Sequence, residues 1–370
     1  MIENILKKFK KLFKIKFRFD FPKSKKILLF DEIHSSILKE IIKKDFNILK
    51  ARDELEIYFW IFFKQIIFFD FSFNTYCKNY IKFTSPKVVI TFNDNYIQFY
   101  KFKKELKDIK FISIQNGVRL ANWFHQIRLL KTKNLECDHI FVFNKYIEKK
   151  YKKNIKSKFH ILGSFKNNIV KINNTENYNT FLFISQFDKY NKKNQNFQLK
   201  VLNLIKQHLS KSNTKLHILL RGKNYLKLND EIDYFKKIFH SSCVFHKTSK
   251  WKNIYKILDK FENIIFMFSS LGYEAISRKK KVIIFSPNKH NNYNYHFGWP
   301  APLKKNQNFF SLRKMTYKET KRVMSNVYNC NQINWEKKYY RNIKDLMYFD
   351  RNNTQIRNII SRTLNTSGSN

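Results

Sequence analysis

Short apolar runs, each closed by a polar turn and followed by a stretch of helical periodicity, recur in two long series along this 370-residue chain. That alternation restricts the fold more than any other feature. Strands separated by helices favour parallel pairing, with the helices covering both faces of the sheet. The first series places strands at 26–30, 46–50, 87–92, 111–115, 139–143 and 159–162, helices at 35–44, 96–106 and 145–152, and helical apolar segments across 55–82. The second places strands at 180–185, 215–220, 243–245, 264–268 and 281–285, with helices at 196–209, 230–239 and 253–260. Residues 167–179 are polar and aperiodic, which reads as a linker. The expectation is a basic amphipathic segment over 1–24, α/β domains over 25–166 and 180–312, helices over 313–364 and a disordered tail over 365–370.

In such sheets, ligand groups gather beyond the carboxyl ends of the strands. Glycine placement points to the same loops. Of six glycines, Gly117, Gly163, Gly222, Gly272 and Gly298 lie just after an expected strand or inside a motif loop. The strongest motif is SSLGYEA. Ser269, Ser270 and Gly272 stand where a helix begins, and the unpaired N–H groups there can hold a phosphate. Glu274, a turn later, can accept from ribose hydroxyls, although a plain capped helix has the same residues.

QNGVR supplies Gln115, Asn116, Gly117 and Arg119 at a strand mouth. Asn-Gly is first a tight-turn signal, while Arg119 adds a group able to clamp a carboxylate or phosphate. FDE and FNDN put Asp31, Glu32 and Asp94 directly after two strands. The expected general base is Glu32 or Asp31, then Asp94, although helix capping asks for the same residue types. Arg221 and His246 follow strands of the second series and are weaker candidates for contacting such a phosphate; FGWP at 297–300 reads as a rigid loop edging a cleft. The P-loop, dinucleotide, hydrolase and zinc-protease signatures are all missing, and no Asp-x-Asp grip occurs, so a metal-independent mechanism is expected.

The formal charge of +45 comes from 73 Lys and Arg against 28 Asp and Glu. It would ordinarily suggest nucleic acid or an anionic surface. The surplus is nearly all Lys and accompanies heavy use of Asn, Ile, Phe and Tyr, whose codons are rich in A and T, so nucleic acid is not the expected partner. Residues 1–19 place Ile2, Ile5, Leu6, Phe9, Leu12, Phe13 and Phe17 at helical spacing against a lysine-rich face. The pattern suits an anionic membrane surface or a helix packed on the domain. Cys77, Cys137, Cys243 and Cys330 are far apart, and no apolar run is long enough for a signal peptide core or a membrane span. The expected setting is cytoplasmic and peripheral on the inner face of the plasma membrane.

Taken in order, FDE, KVVITFNDN, ISIQNGVR, ILGSFKNN, FISQF, SSLGYEA and FGWP resemble the bacterial surface carbohydrate (surface polysaccharide) biosynthesis proteins, which look like GT-B glycosyltransferases. The resemblance covers about residues 26–310. It implies two Rossmann-like domains facing a cleft, with Gln115, Asn116, Gly117 and Arg119 in the first-domain cleft loop and Gly163, Ser164 and Asn168 at the crossover. It further implies that Ser185 and Gln186 end the first strand of the nucleotide-binding half, with Ser269, Ser270, Gly272 and Glu274 as its donor loop. The implied activity is transfer of a sugar from a nucleotide-sugar donor to a surface polysaccharide or lipid-linked glycan, with no cofactor beyond that substrate. The rival expectations are a polyol-phosphate transferase or nucleotide-sugar epimerase on the same fold, or a non-catalytic basic binding protein.

Overall fold

The computed structural model describes residues 15–52, 55–67, 69–117, 119, 121–129, 135–173, 178–211, 214–222, 225–240, 242–285, 307–312 and 314–365. Residues 1–14 of the helix expected over 1–19, FGWP, and residues 366–370 of the tail expected over 365–370 lie outside the described residues. Among the described residues thirteen strands run in chain order: β1 Lys16–Arg18, β2 Ile27–Phe30, β3 Asn47–Leu49, β4 Glu56–Tyr58, β5 Val88–Thr91, β6 Lys110–Ile114, β7 Leu135–Val142, β8 Ile155–Ile161, β9 Tyr178–Ile184, β10 Leu216–Leu219, β11 Cys243–His246, β12 Phe261–Phe266 and β13 Lys281–Ile284.

Two parallel sheets hold most of them. The first has the order β3-β2-β5-β6-β7-β8 and the second β11-β10-β9-β12-β13. The central strands are buried on both faces. ILLF in β2 and VVIT in β5 have no exposed residue, as runs in a helix-covered sheet require, and neither has KVII in the edge strand β13. In each sheet the strand order reverses beside the first strand of the series, between β2 and β5 and between β9 and β12. Those reversal points open a crevice beyond the strand ends, because the flanking connections leave in opposite directions.

The sheets are joined twice. After β8 the chain passes through Gly163 and the short helix Phe165–Ile169. Residues 167 and 168, the start of the linker expected over 167–179, are buried and hydrogen-bonded within a packed crossover. The chain returns near its end, where Gly163 forms an antiparallel bridge with Phe349. Gly163 has φ +74°, and a Cβ there would lie 1.8 Å from the Tyr348 carbonyl oxygen, so only glycine admits this crossing. The helix Thr354–Asn365 then packs Ile356, Ile360 and Leu364 into the same core as Ile27, Leu29 and Val88, placing the C-terminus on the first half.

Two further differences from the sequence reading have local causes. Residues 16–18, expected in a helix, form β1 beside β4, consistent with the period-two alternation of Lys16, Phe17, Arg18 and Phe19. The helix expected through 335–348 is broken into π, α and 3-10 segments, with Met347 in an extended conformation as the chain turns toward Gly163.

Candidate active site at the two strand-order reversals

At the first reversal the chain leaves β2 through Asp31, Glu32, Ile33 and His34. Asp31 has φ 65° and His34 φ 58°, a left-handed conformation uncommon for residues with a Cβ. Two in four residues mark a segment held in place by its surroundings. The Asp31 carboxylate is buried, accepting from the Ile33 N–H at 2.8 Å and from Asn93 Nδ2 at 3.3 Å. Burial raises its pKa, and the Ile33 N–H offsets only part of that rise. Glu32 accepts from the Ala51 N–H beyond β3 at 3.1 Å. His34 Nε2 donates to Asn116 Oδ1 at 2.8 Å, and its ring packs edge-on against Phe92 and Phe165.

Asp94, beyond β5, organises the neighbouring loop. It is fully buried and accepts from Arg119 Nε at 2.7 Å, from Arg119 Nη2, from the Tyr151 hydroxyl and from the Asn116 N–H at 3.1 Å. Both of its oxygens therefore hold protein groups, which suits positioning rather than proton abstraction. Arg119, expected to clamp a substrate anion, clamps Asp94. Gln115 is also buried. Its Nε2 donates to the Gly117 carbonyl at 2.9 Å, and its Oε1 accepts from the Phe143 N–H at 2.9 Å. The loop is thus fixed from behind by Asp94, Arg119 and Gln115, and Asn116 carries the link to His34.

At the second reversal, Ser185 and Gln186 end β9 and Ser269 and Ser270 follow β12. Gln186 Oε1 accepts from the Phe268 N–H at 3.1 Å, bridging the two strand ends. The Ser185 hydroxyl donates to Glu231, a buried carboxylate that also accepts from the Arg221 N–H at 3.0 Å and the Gly222 N–H at 2.7 Å. Sequence reasoning missed Glu231 because an acid inside a helical segment ordinarily reads as a solvated surface residue. Arg221 itself is exposed at the mouth of β10.

Ser269 caps the helix Ser270–Ser277, its hydroxyl accepting from the Leu271 N–H at 3.3 Å. Gly272 serves packing here. A Cβ would come within 2.1 Å of the Phe266 ring, so its absence lets the helix lie directly on β12. Glu274 is buried and accepts from the Ser164 hydroxyl and the Tyr255 hydroxyl, each at 2.7 Å. Ser164 belongs to the crossover, so Glu274 ties the crossover to the second half. Asn167 continues this contact, donating to the Ser277 hydroxyl at 2.8 Å and accepting from Arg278 Nη1 at 2.9 Å.

His246 does not join this cluster. It ends β11 level with Leu219, but its Nε2 lies 2.9 Å from His217 Nδ1 and its ring meets Phe261. The other residues expected from sequence fall at the two reversals or in the shell that supports them. His34 is the addition. Its sequence signal was faint, a lone imidazole three residues after an acid at a strand end.

No curated protein matches the sequence significantly. Among solved structures, the fold is similar to S. aureus MnaA in a co-structure with UDP, at 11% identity and TM-score 0.51, covering 92% of this chain and 96% of that one. It is also similar to the UDP-GlcNAc 2-epimerase of Methanocaldococcus jannaschii in complex with UDP-GlcNAc and UDP, at 12% identity and TM-score 0.52, covering 91% and 99%. Sucrose-phosphate synthase from Thermosynechococcus elongatus shares the architecture at 9% identity and TM-score 0.53, covering 93% and 100%. At these identities the likeness establishes the fold, the two Rossmann-like halves of the GT-B type. A family profile described as "putative O-antigen biosynthesis protein" matches residues 112–364, from within β6 through the crossover and the second half, and leaves the loops after β2 and β5 outside the match. The chain belongs to this O-antigen biosynthesis family.

Proposed function

We propose that the chain transfers a sugar from a nucleotide-sugar donor to a surface-polysaccharide or lipid-linked glycan acceptor. The observation that carries this reading is the placement of two strand-order reversals on one chain, with the Ser164–Glu274 contact tying the crossover to the second half. In this account the second reversal holds the nucleotide. The N-terminal end of the helix Ser270–Ser277, with Ser269 and Ser270, faces the donor phosphates, and Arg221 adds a cation. An ionised carboxylate has about four acceptor positions. Ser164 and Tyr255 occupy two of Glu274's, leaving acceptor capacity for the ribose while fixing its orientation.

The first reversal supplies the acceptor side. Asp31 is buried with a raised pKa and is the first candidate for general base, with His34 and Glu32 beside it in the same loop. Donor-phosphate stabilisation and crevice closure would lower the barrier without a metal ion. The assay is transfer of a radiolabelled sugar from each nucleotide-sugar to membrane-derived glycan acceptor. Asp31→Asn and His34→Ala are the test variants, and nucleotide affinity is measured in parallel. Loss of about 100-fold or more in turnover from at least one, with donor affinity kept, supports the assignment. Wild-type turnover in both would remove the loop from the chemistry.

A second reading is nucleotide-sugar epimerisation. It is favoured by the near-complete coverage of both chains in the match to a UDP-GlcNAc 2-epimerase. Epimer formation from UDP-GlcNAc without acceptor would select it over transfer.

A further inference from the structure

A helix that is apolar around its whole circumference is normally enclosed on all sides. The helix Phe59–Ile67, FWIFFKQII, is not enclosed: Ile61 and Gln65 face the domain, while Trp60, Phe63, Ile66 and Ile67 are exposed. Pairing of β1 with β4 brings further aromatics from the chain start. Phe19 lies 5.4 Å from Phe59, and Phe21 stacks between Trp60 at 6.2 Å and Phe83 at 5.6 Å. Beyond the helix, Phe69 and Phe71 project with 86% and 63% of their surface exposed. Singly exposed apolar residues need no explanation, but a contiguous aromatic ridge marks a binding surface.

The charge around the ridge indicates what it meets. Among residues 15–26, Lys16, Arg18, Lys23, Lys25 and Lys26 stand against Asp20 alone, and Asp20 is paired with Arg18 at 2.9 Å. Lys64 and Lys82 are exposed on the ridge helices. Asp70, the acid nearest the ridge tip, accepts from the Ser72 N–H and the Thr75 hydroxyl, at 2.9 and 2.7 Å. Aromatic rings bordered by an excess of cations match a lipid headgroup layer, where rings settle at the interface and ammonium groups meet phosphate. No helix among the described residues is long and apolar enough to cross a membrane.

We propose that this ridge docks the chain on an anionic lipid bilayer. The proposal goes beyond the transfer reaction and does not depend on it. Its geometry has a consequence for that reaction, because Asn74, at the start of the ridge's second helix, accepts from the Tyr96 hydroxyl at 2.7 Å. Tyr96 closes the loop that carries Asp94, so docking brings the mouth of the first reversal close to the lipid surface.

The test is co-sedimentation of the full chain with phosphatidylcholine vesicles and with vesicles also containing phosphatidylglycerol, at about 0.1 M and about 1 M salt. The expected result is pelleting with the anionic vesicles, weakened by salt. Ile67→Ser, Phe69→Ser and Phe71→Ser together should lower partition by about tenfold or more with an unchanged melting temperature. If the triple variant melts early, Phe69→Ser alone should still weaken binding. Three outcomes would overturn the proposal: no wild-type pelleting on either composition, vesicle binding that survives the loss of the aromatic side chains, or a wild-type dimer that these changes convert to monomer without vesicle binding.

Discussion

Asp31 carries opposing demands on stability and chemistry. Its folded-state pKa is raised by burial, so the native state prefers the protonated acid, and ionising it costs folding free energy. The stabilising contribution is complete below the unfolded carboxylate pKa of about 4 and is lost as pH rises through the raised folded value. Asp31→Asn should therefore raise the urea midpoint at pH 7 and leave it nearly unchanged at pH 3.5, while turnover falls. A lower midpoint at pH 7 would show that the Ile33 and Asn93 hydrogen bonds outweigh burial. The carboxylates after β2 and β5 were legible in the sequence because acids directly after apolar runs stand out. Their division of labour was not. Only the fold brings Arg119 and Tyr151 onto Asp94 and gives Asp31 the Ile33 N–H and the Asn93 amide as donors.

At the scale of strands, each sheet carries one histidine pair across its outer ladder. His139 of β7 and His160 of β8 are 3.0 Å apart, and His217 of β10 and His246 of β11 are 2.9 Å apart. Burial lowers all four, and the neighbouring imidazole adds to it for His139 and His217, both reaching about 4. A folded pKa below the ordinary value of about 6.5 means the stabilisation is present above that pH and is lost as pH falls toward the folded value. Unfolding midpoints in urea should thus drop between pH 7 and pH 4. His139→Gln with His217→Gln should flatten that drop, and an unaltered slope would contradict the account. Apolar runs made these strands readable, yet β1 was misassigned. Its three residues gain their conformation from β4, some forty positions away in the chain, and a local pattern of mixed Lys and Phe does not separate helix from strand.

For the whole molecule, the return of the C-terminus to the first half makes the two halves interdependent. Ile360 is buried beside strands formed by the opposite end of the chain. Ile360→Ala should cost about 2–5 kcal/mol in urea denaturation, as for other large-to-small core changes, despite its distance from the first half in sequence. A loss under about 0.5 kcal/mol would mean that the helix is only loosely docked. The ion pair of Lys252 with Glu40, 2.6 Å long and exposed, adds little to this coupling. The sequence showed two α/β halves and a helical end through periodicity alone. The packing of the crossover was hidden, because Asn167 and Asn168 look like loop residues until Ser277, Arg278 and Asn353 are placed around them. The central claim is that the crevice at β9 and β12 binds a nucleotide. Thermal melting of the full chain with UDP, CMP, CDP and GDP in turn tests it most directly. The account predicts that at least one raises the melting temperature by several degrees and that Glu274→Gln abolishes most of that rise; no stabilisation by any of the four would contradict it.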